Sequence, residues 1–164
     1  MSKFYKYSIW AFVVFIELQV SFANAQEVKI IKYNDLEEII ASKGDGIKVI
    51  NFWATWCKPC IEELPAFETI SEKYSQKDIK VYLVSMDFVT EVERVNKFVN
   101  KRKLKSEVLL LDEPDYNKWI NKVNEKWSGA IPATLMIGSK AKDNRFFERT
   151  FDLEGLEEEI KKIE

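Results

Sequence analysis

Cys57 and Cys60 are the only cysteines in the chain, and two residues separate them. They stand where an apolar run, Val49-Ile50-Asn51-Phe52-Trp53, gives way to a helical pattern opening at Lys58. Residues three apart in a first helical turn share a face, so the two sulfurs can close a disulfide with little backbone movement. The amides of that turn lack partners within the helix and carry roughly half a positive charge. Such a field favours thiolate over thiol, which marks Cys57 as the nucleophile. Lys58 adds a positive charge nearby. Pro59 is tolerated, because the amide it lacks would be unpaired there anyway. Cys60, one turn deeper, is the shielded sulfur that would attack a mixed disulfide on Cys57 and release the reduced substrate.

Two blander uses of the pair are weighed against this one. Tetrahedral zinc takes about four N or S ligands. The chain has no His and no third Cys, so a metal is not expected, and nothing else in the sequence calls for a cofactor. A purely structural disulfide here would close a very small loop, the case in which a cross-link stabilises least.

The elements that must position the cysteines follow from periodicity. Val28 to Tyr33 alternates as an edge strand does. Asn34 and Glu37 are spaced as a capping pair for a helix running to about Ser42. Lys48 to Ala54 is apolar on both faces, as in a central strand covered on both sides. Ile61, Leu64, Phe67, Ile70 and Tyr74 mark an amphipathic helix from Lys58 to about Ser75, with Pro65 inside it. Ile79 to Met86 reads as a buried strand, and Val92, Val95, Phe98 and Val99 as a further helix. Val108 to Leu111 is a short strand, and Tyr116 to Asn124 a short helix. Thr134 to Ile137 and Arg145 to Phe151 read as a closing strand pair. Asp152 is placed to cap a last helix carrying Leu156, Ile160 and Ile163. Strands alternating with helices, then a strand pair and a helix, argue for an α/β fold with helices on both faces of a mixed sheet.

The segment F-W-A-T-W-C-K-P-C, Phe52 to Cys60, resembles the active-site segment of thioredoxin-fold proteins. It is most similar to that of the TlpA/ResA-type extracytoplasmic thiol–disulfide oxidoreductases, matching at Trp53, Trp56, Cys57, Pro59 and Cys60. Pro65 matches the helix-kinking proline of that fold. Ile131-Pro132-Ala133-Thr134 resembles the segment holding a cis-proline against the cysteines. The likeness runs from about Val28 to the C-terminus. It implies a thioredoxin-like, three-layer α/β/α fold with a central mixed sheet and an inserted helix–strand between Thr90 and Leu111. It also implies a cis Ile131–Pro132 bond.

Several other residues take candidate roles beside this resemblance. Asn51 stands where cytoplasmic thioredoxins carry a buried aspartate as proton acceptor, so the proton task must move. Glu63, three residues past Cys60, matches a glutamate that TlpA/ResA-type members place near the active site. A partly buried carboxylate there could take the Cys60 proton; the alternative is a solvated glutamate like its neighbour Glu62. Trp56 is expected beside Cys57 as an apolar lip for substrates, and Trp53 in the core. The backbone of Ile131, beside Pro132, is available to an extended substrate segment by strand addition.

The N-terminus carries Lys3 and Lys6, an apolar run from about Ser8 to Phe22, and Ala23-Asn24-Ala25. This is the pattern of a secretory signal peptide over residues 1–25, with a domain over 26–164; an uncleaved anchor is the alternative. Without Lys3, Lys6 and Glu17 the balance is 23 basic to 26 acidic residues, a net charge of about −3. That balance does not suggest nucleic-acid or anionic-membrane binding.

The sequence therefore points to a periplasmic or otherwise extracytoplasmic thiol–disulfide oxidoreductase acting on protein thiols and disulfides. Cys57-Lys58-Pro59-Cys60 resembles the active sites of reductants, and the lack of a His between the cysteines fits a more reducing pair. A reductant outside the cytoplasm must itself be re-reduced, which implies a membrane electron-donor protein. Apocytochrome c is one substrate the resemblance suggests. A disulfide oxidase or isomerase on the same scaffold, and a non-enzymatic binding module, are the two alternatives.

Overall fold

The computed structural model describes residues 26–42, 46–75, 79–138 and 144–163. The signal peptide expected at 1–25 lies outside them. Among the described residues, the elements in order are β1 (Lys29–Ile31), α1 (Tyr33–Ala41), β2 (Ile47–Trp53), α2 (Lys58–Lys73), β3 (Ile79–Ser85), α3 (Val92–Arg102), β4 (Glu107–Leu111), α4 (Ile120–Val123), β5 (Ala133–Ile137), β6 (Arg145–Phe147) and α5 (Leu153–Lys161). Single 3-10 turns at Val89–Glu91 and Tyr116–Lys118 precede α3 and α4. The strands form one mixed sheet in the order β1-β4-β3-β2-β5-β6. β1, β4, β3 and β2 run parallel, and β5 and β6 are antiparallel additions. The helix and strand expected as an insertion are α3 and β4, and β4 lies between the edge strand β1 and β3.

β2 is buried along its whole length, and alternation sends its side chains to opposite faces. Trp53 meets Phe98 of α3, ring centroids 5.3 Å apart. Asn51, on the same face, bonds to Glu63 of α2, and α2 packs against α5. Phe52 points the other way, 4.5 Å from Trp127 and 6.4 Å from Trp119. Trp119 stacks in turn on Tyr33 of α1. Helices thus cover both faces, and the expected three layers are present. Phe67 and Ile70 of α2 are fully buried; truncating a residue such as Phe67 to Ala would cost about 3–5 kcal/mol.

Four local expectations are corrected. Tyr33 opens α1 instead of closing β1. The carboxylate that caps this helix is Asp35, which accepts from the Lys32 amide at 2.8 Å; the cap therefore lies two residues before the Asn34–Glu37 pair. The helix expected over 116–124 is split at Trp119 (φ −133°), whose indole sits among the rings of Tyr33, Phe52, Tyr116 and Trp127. β6 ends at Phe147 instead of Phe151, because Glu148 turns toward Ser128 and Ala130. Asp152 caps α5 as expected, accepting from the Gly155 amide at 2.8 Å.

Candidate active site

β2 and β3 are parallel and in register at their ends, Trp53 opposite Ser85, so the loops that follow leave the sheet side by side. The turn after β2 closes with the Cys57 amide donating to the Ala54 carbonyl at 3.1 Å. Cys57 is the N-cap of α2, with extended backbone (φ −89°, ψ 99°). Its sulfur accepts from the Cys60 amide at 3.3 Å, where a Ser or Asp oxygen would ordinarily sit. Cys57 and Cys60 form a disulfide with their Cα atoms 5.3 Å apart. Cys57 is 6% exposed and Cys60 not at all, so a sulfur approaching from solvent meets Cys57 first. Lys58 is exposed and lies 3.8 Å from the Glu62 carboxylate. Its charge is held in solvent, which leaves the amides of the first turn as the main field at the Cys57 sulfur.

The Ile131–Pro132 bond is cis. The Ile131 carbonyl oxygen lies 3.9 Å from the Cys57 sulfur, and Ile131 is half-buried while Pro132 is buried. The loop leading to them is tied twice. Trp127 Nε1 donates to the Ala130 carbonyl at 2.8 Å, and the Glu148 carboxylate accepts from the Ser128 amide, the Ser128 hydroxyl and the Ala130 amide. Trp56 is 61% exposed next to Cys57.

Glu63 lies one turn beyond Cys60 on the buried face of α2 and is 4% exposed. Its Oε1 accepts from Asn51 Nδ2 at 2.7 Å and its Oε2 from the Phe151 amide at 2.8 Å. Asn51 Nδ2 also donates to Thr134 Oγ1 at 3.2 Å. Burial raises the Glu63 carboxyl to a pKa of about 7, and the Phe151 and Asn51 donors pull against that rise. Glu63 borders a surface cleft walled by Pro59, Arg149 and Phe151. The six expected site residues thus fall into two groups. Trp56, Cys57, Cys60, Ile131 and Pro132 gather at the start of α2, and Glu63 lies behind them beneath Asn51.

These elements agree with known proteins. A model of the AhpC/TSA family matches residues 17–142. This chain belongs to the AhpC/TSA family. Among curated relatives, the thiol-disulfide oxidoreductase ResA of Bacillus thuringiensis (strain Al Hakam) is 32% identical over 124 residues. That match takes in 74% of this chain and 65% of the relative, so the chain spans just under two thirds of the relative's length. StoA from Bacillus subtilis superposes with a TM-score of 0.57 at 21% identity, covering 73% of this chain and 85% of StoA. A thioredoxin-related protein from Neisseria meningitidis serogroup B gives 0.63 at 17% identity, covering 73% and 86%. At these identities the structural likenesses establish the fold. Among the described residues of this AhpC/TSA member, no group of His, Cys, Asp and Glu could hold a metal ion. Nor is any described helix long and apolar enough to cross a membrane.

Sequence reasoning passed over Asp87, Thr55, Phe151 and Glu148. A signal for Asp87 was present: a carboxylate placed directly after a buried strand parallel to β2 must emerge at the end of the sheet that carries the cysteines.

Proposed function

We propose that this chain is a thiol–disulfide oxidoreductase that reduces protein disulfides outside the cytoplasm. The observation that carries this reading is the asymmetry of the pair. One sulfur caps a helix, accepts from the Cys60 amide and keeps a small exposure to solvent, and its partner is wholly enclosed. In the reduced protein, the Cys57 thiolate attacks one sulfur of a substrate disulfide, and the other substrate sulfur leaves as a thiolate. Cys60 then attacks the Cys57 sulfur, the Cys57–Cys60 disulfide forms, and the second substrate thiolate departs. Two electrons pass from the pair to the substrate.

Cys60 must lose its proton to attack from an apolar enclosure. Glu63 takes that proton, because its raised pKa matches a base working near neutral pH. The cleft beside Phe151 lets the proton pass on to solvent without crossing the substrate face. Trp56 and the Ile131–Pro132 backbone hold the substrate against Cys57.

Reduction is favoured over oxidation because little charge stabilises the thiolate: no His separates the cysteines, and Lys58 is spent on Glu62 in solvent. A reductant of this kind is recharged by a membrane dithiol protein. The experiment is capture with Cys60→Ser, which leaves substrate disulfide-linked to Cys57, combined with a redox titration of the wild-type pair. A potential near that of strong oxidants would reverse the direction. Absence of any captured protein, with Cys57 unreactive, would favour the binding-module alternative.

A further inference from the structure

Asp87 is 2% exposed and sits two residues beyond the end of β3, yet the exchange chemistry does not use it. Its carboxylate gathers four donors. Thr55 gives two, its amide to Oδ2 at 2.8 Å and its hydroxyl to Oδ1 at 2.6 Å. Ser85 Oγ donates to Oδ2 at 2.8 Å, and the Arg94 guanidinium to Oδ1 at 2.8 Å. Burial alone would raise this acid, but the bonds from Thr55, Arg94 and Ser85 outweigh it and hold Asp87 below the usual carboxylate range. Partial burial and then the charge of Asp87 raise the pKa of the half-buried Tyr116 phenol.

Two of the four donors belong to one residue, and that residue lies two positions before Cys57. The turn around it is fastened at each step. The Trp53 carbonyl accepts from the Met86 amide at 2.7 Å, Thr55 is gripped by Asp87, and the Cys57 amide closes on the Ala54 carbonyl. Removing the Thr55 grip would leave the turn held only at its two ends.

We propose that Asp87 is a positioning residue of the redox site, its carboxylate clamping Thr55 through amide and hydroxyl so that the turn delivers Cys57 to the start of α2. The proposal rests on the oxidoreductase reading above, with Cys57 as nucleophile. The clamp matters because the amide field at a helix start falls off within one turn. A sulfur that drifts from the Cys60 amide loses the interaction that favours its thiolate. Arg94 balances the charge of Asp87, so the clamp works by geometry more than by its own field.

The test is the pH profile of Cys57 alkylation by iodoacetamide in the reduced full chain, measured beside the unfolding midpoint. Thr55→Val keeps the Asp87 charge and removes the hydroxyl. It should slow alkylation near neutral pH about threefold, the change expected from a rise of about half a unit in thiol pKa. Thr55→Ser should restore the wild-type profile. Ser85→Ala removes a bond to the same carboxylate that does not pass through the turn; it should lower the unfolding midpoint and leave the profile in place. Should Thr55→Val not fold, Thr55→Ala opens the same bond with less bulk. A Thr55→Val or Thr55→Ala profile identical to wild type overturns the proposal, as does a Ser85→Ala shift of equal size. If wild-type Cys57 itself reacts no faster than a peptide thiol, the oxidoreductase reading has failed instead, and the two failures are told apart by that first measurement.

Discussion

Asn51 Nδ2 lies 2.7 Å from Glu63 Oε1 in the buried layer between β2 and α2. The same amide reaches Thr134 Oγ1, while Asn51 Oδ1 has no hydrogen-bond partner among the described residues. A neutral donor therefore stands over the candidate proton acceptor, where a charged carboxylate stands in cytoplasmic thioredoxins. One donor stabilises the ionised form of Glu63 without the repulsion that a second acid would bring. Replacing it should expose how much of the balance it sets. In Asn51→Leu the Glu63 carboxyl is expected to titrate higher than in wild type. Carboxyl 13C chemical shifts followed across pH 5 to 9 check this, and a Glu63 midpoint that stays put or falls would contradict it.

Glu63 also makes stability depend on pH, with a sign opposite to that of a salt-bridged acid. Its pKa is about 7 in the folded protein against an ordinary value of 4.5. The folded state therefore holds the proton more tightly, and ionisation in the folded state carries a penalty. That penalty is absent below about pH 4.5, grows as pH rises toward 7, and is complete above it. A shift of this size corresponds to about 3 kcal/mol. Urea unfolding at pH 5 and pH 8 should show wild type losing stability relative to Glu63→Gln by an amount of that order. Parallel losses in the two proteins would mean that Glu63 is already ionised at pH 5.

The same Glu63→Gln substitution separates the two steps of exchange. On the proposed mechanism, attack by Cys57 does not need the carboxyl, whereas resolution by Cys60 does. We expect the mixed disulfide to form at the wild-type rate and to resolve about a hundredfold or more slowly, in the range that general-base removal produces. Quenched-flow trapping of the mixed disulfide reads both steps. Equal slowing of both would assign Glu63 to packing alone.

Much of the site was legible because its signals are local. The spacing of Cys57 and Cys60, the apolar run of β2 and the three-to-four rhythm of Leu64, Phe67 and Ile70 each fix one element without reference to the others. The misread parts are those that distant contacts decide. α1 starts at Tyr33, behind the Lys32–Asp35 cap, and that ring stacks on Trp119, 86 residues away in sequence. β6 stops early because Glu148 is drawn to the loop before Pro132. The helix near Trp119 breaks because burying the indole among four rings outweighs one more helical hydrogen bond. Glu63 lay between these cases. Its position three beyond Cys60 was visible, but the Phe151 amide that holds its second oxygen comes from the far end of the chain.

Lys48 offers a check on the scaffold apart from the chemistry. Its ammonium is enclosed and donates to the Ile39, Ile40 and Ser42 carbonyls at 2.7, 3.2 and 2.6 Å, and to Ser42 Oγ at 3.0 Å. It thus closes the C-terminal end of α1 from within the central strand. Burial lowers its pKa. Lys48→Met keeps the apolar stem but takes the ammonium donor from the Ile40 and Ser42 carbonyls, leaving Ile39 its bond from the Ser42 hydroxyl, and should cost about 1–3 kcal/mol by denaturant unfolding. The alkylation profile of Cys57, at the opposite end of β2, should not move.

Trp56 stands on the other side of this division. It is 61% exposed. Exposed side chains away from caps and ion pairs contribute about 0.5 kcal/mol or less to stability, so Trp56→Ala should unfold with wild type. On the proposed function, its ring would cover apolar surface on a protein that brings a disulfide to Cys57. A contact of this kind contributes on the order of 1 kcal/mol to binding, about a fivefold change in affinity. KM for a protein disulfide should therefore rise about fivefold in Trp56→Ala with kcat little changed. Reduction of a small-molecule disulfide, too small to reach the indole while bound at Cys57, should proceed at the wild-type rate. If both substrates slowed equally, Trp56 would be acting on the sulfur itself and the docking role would be lost.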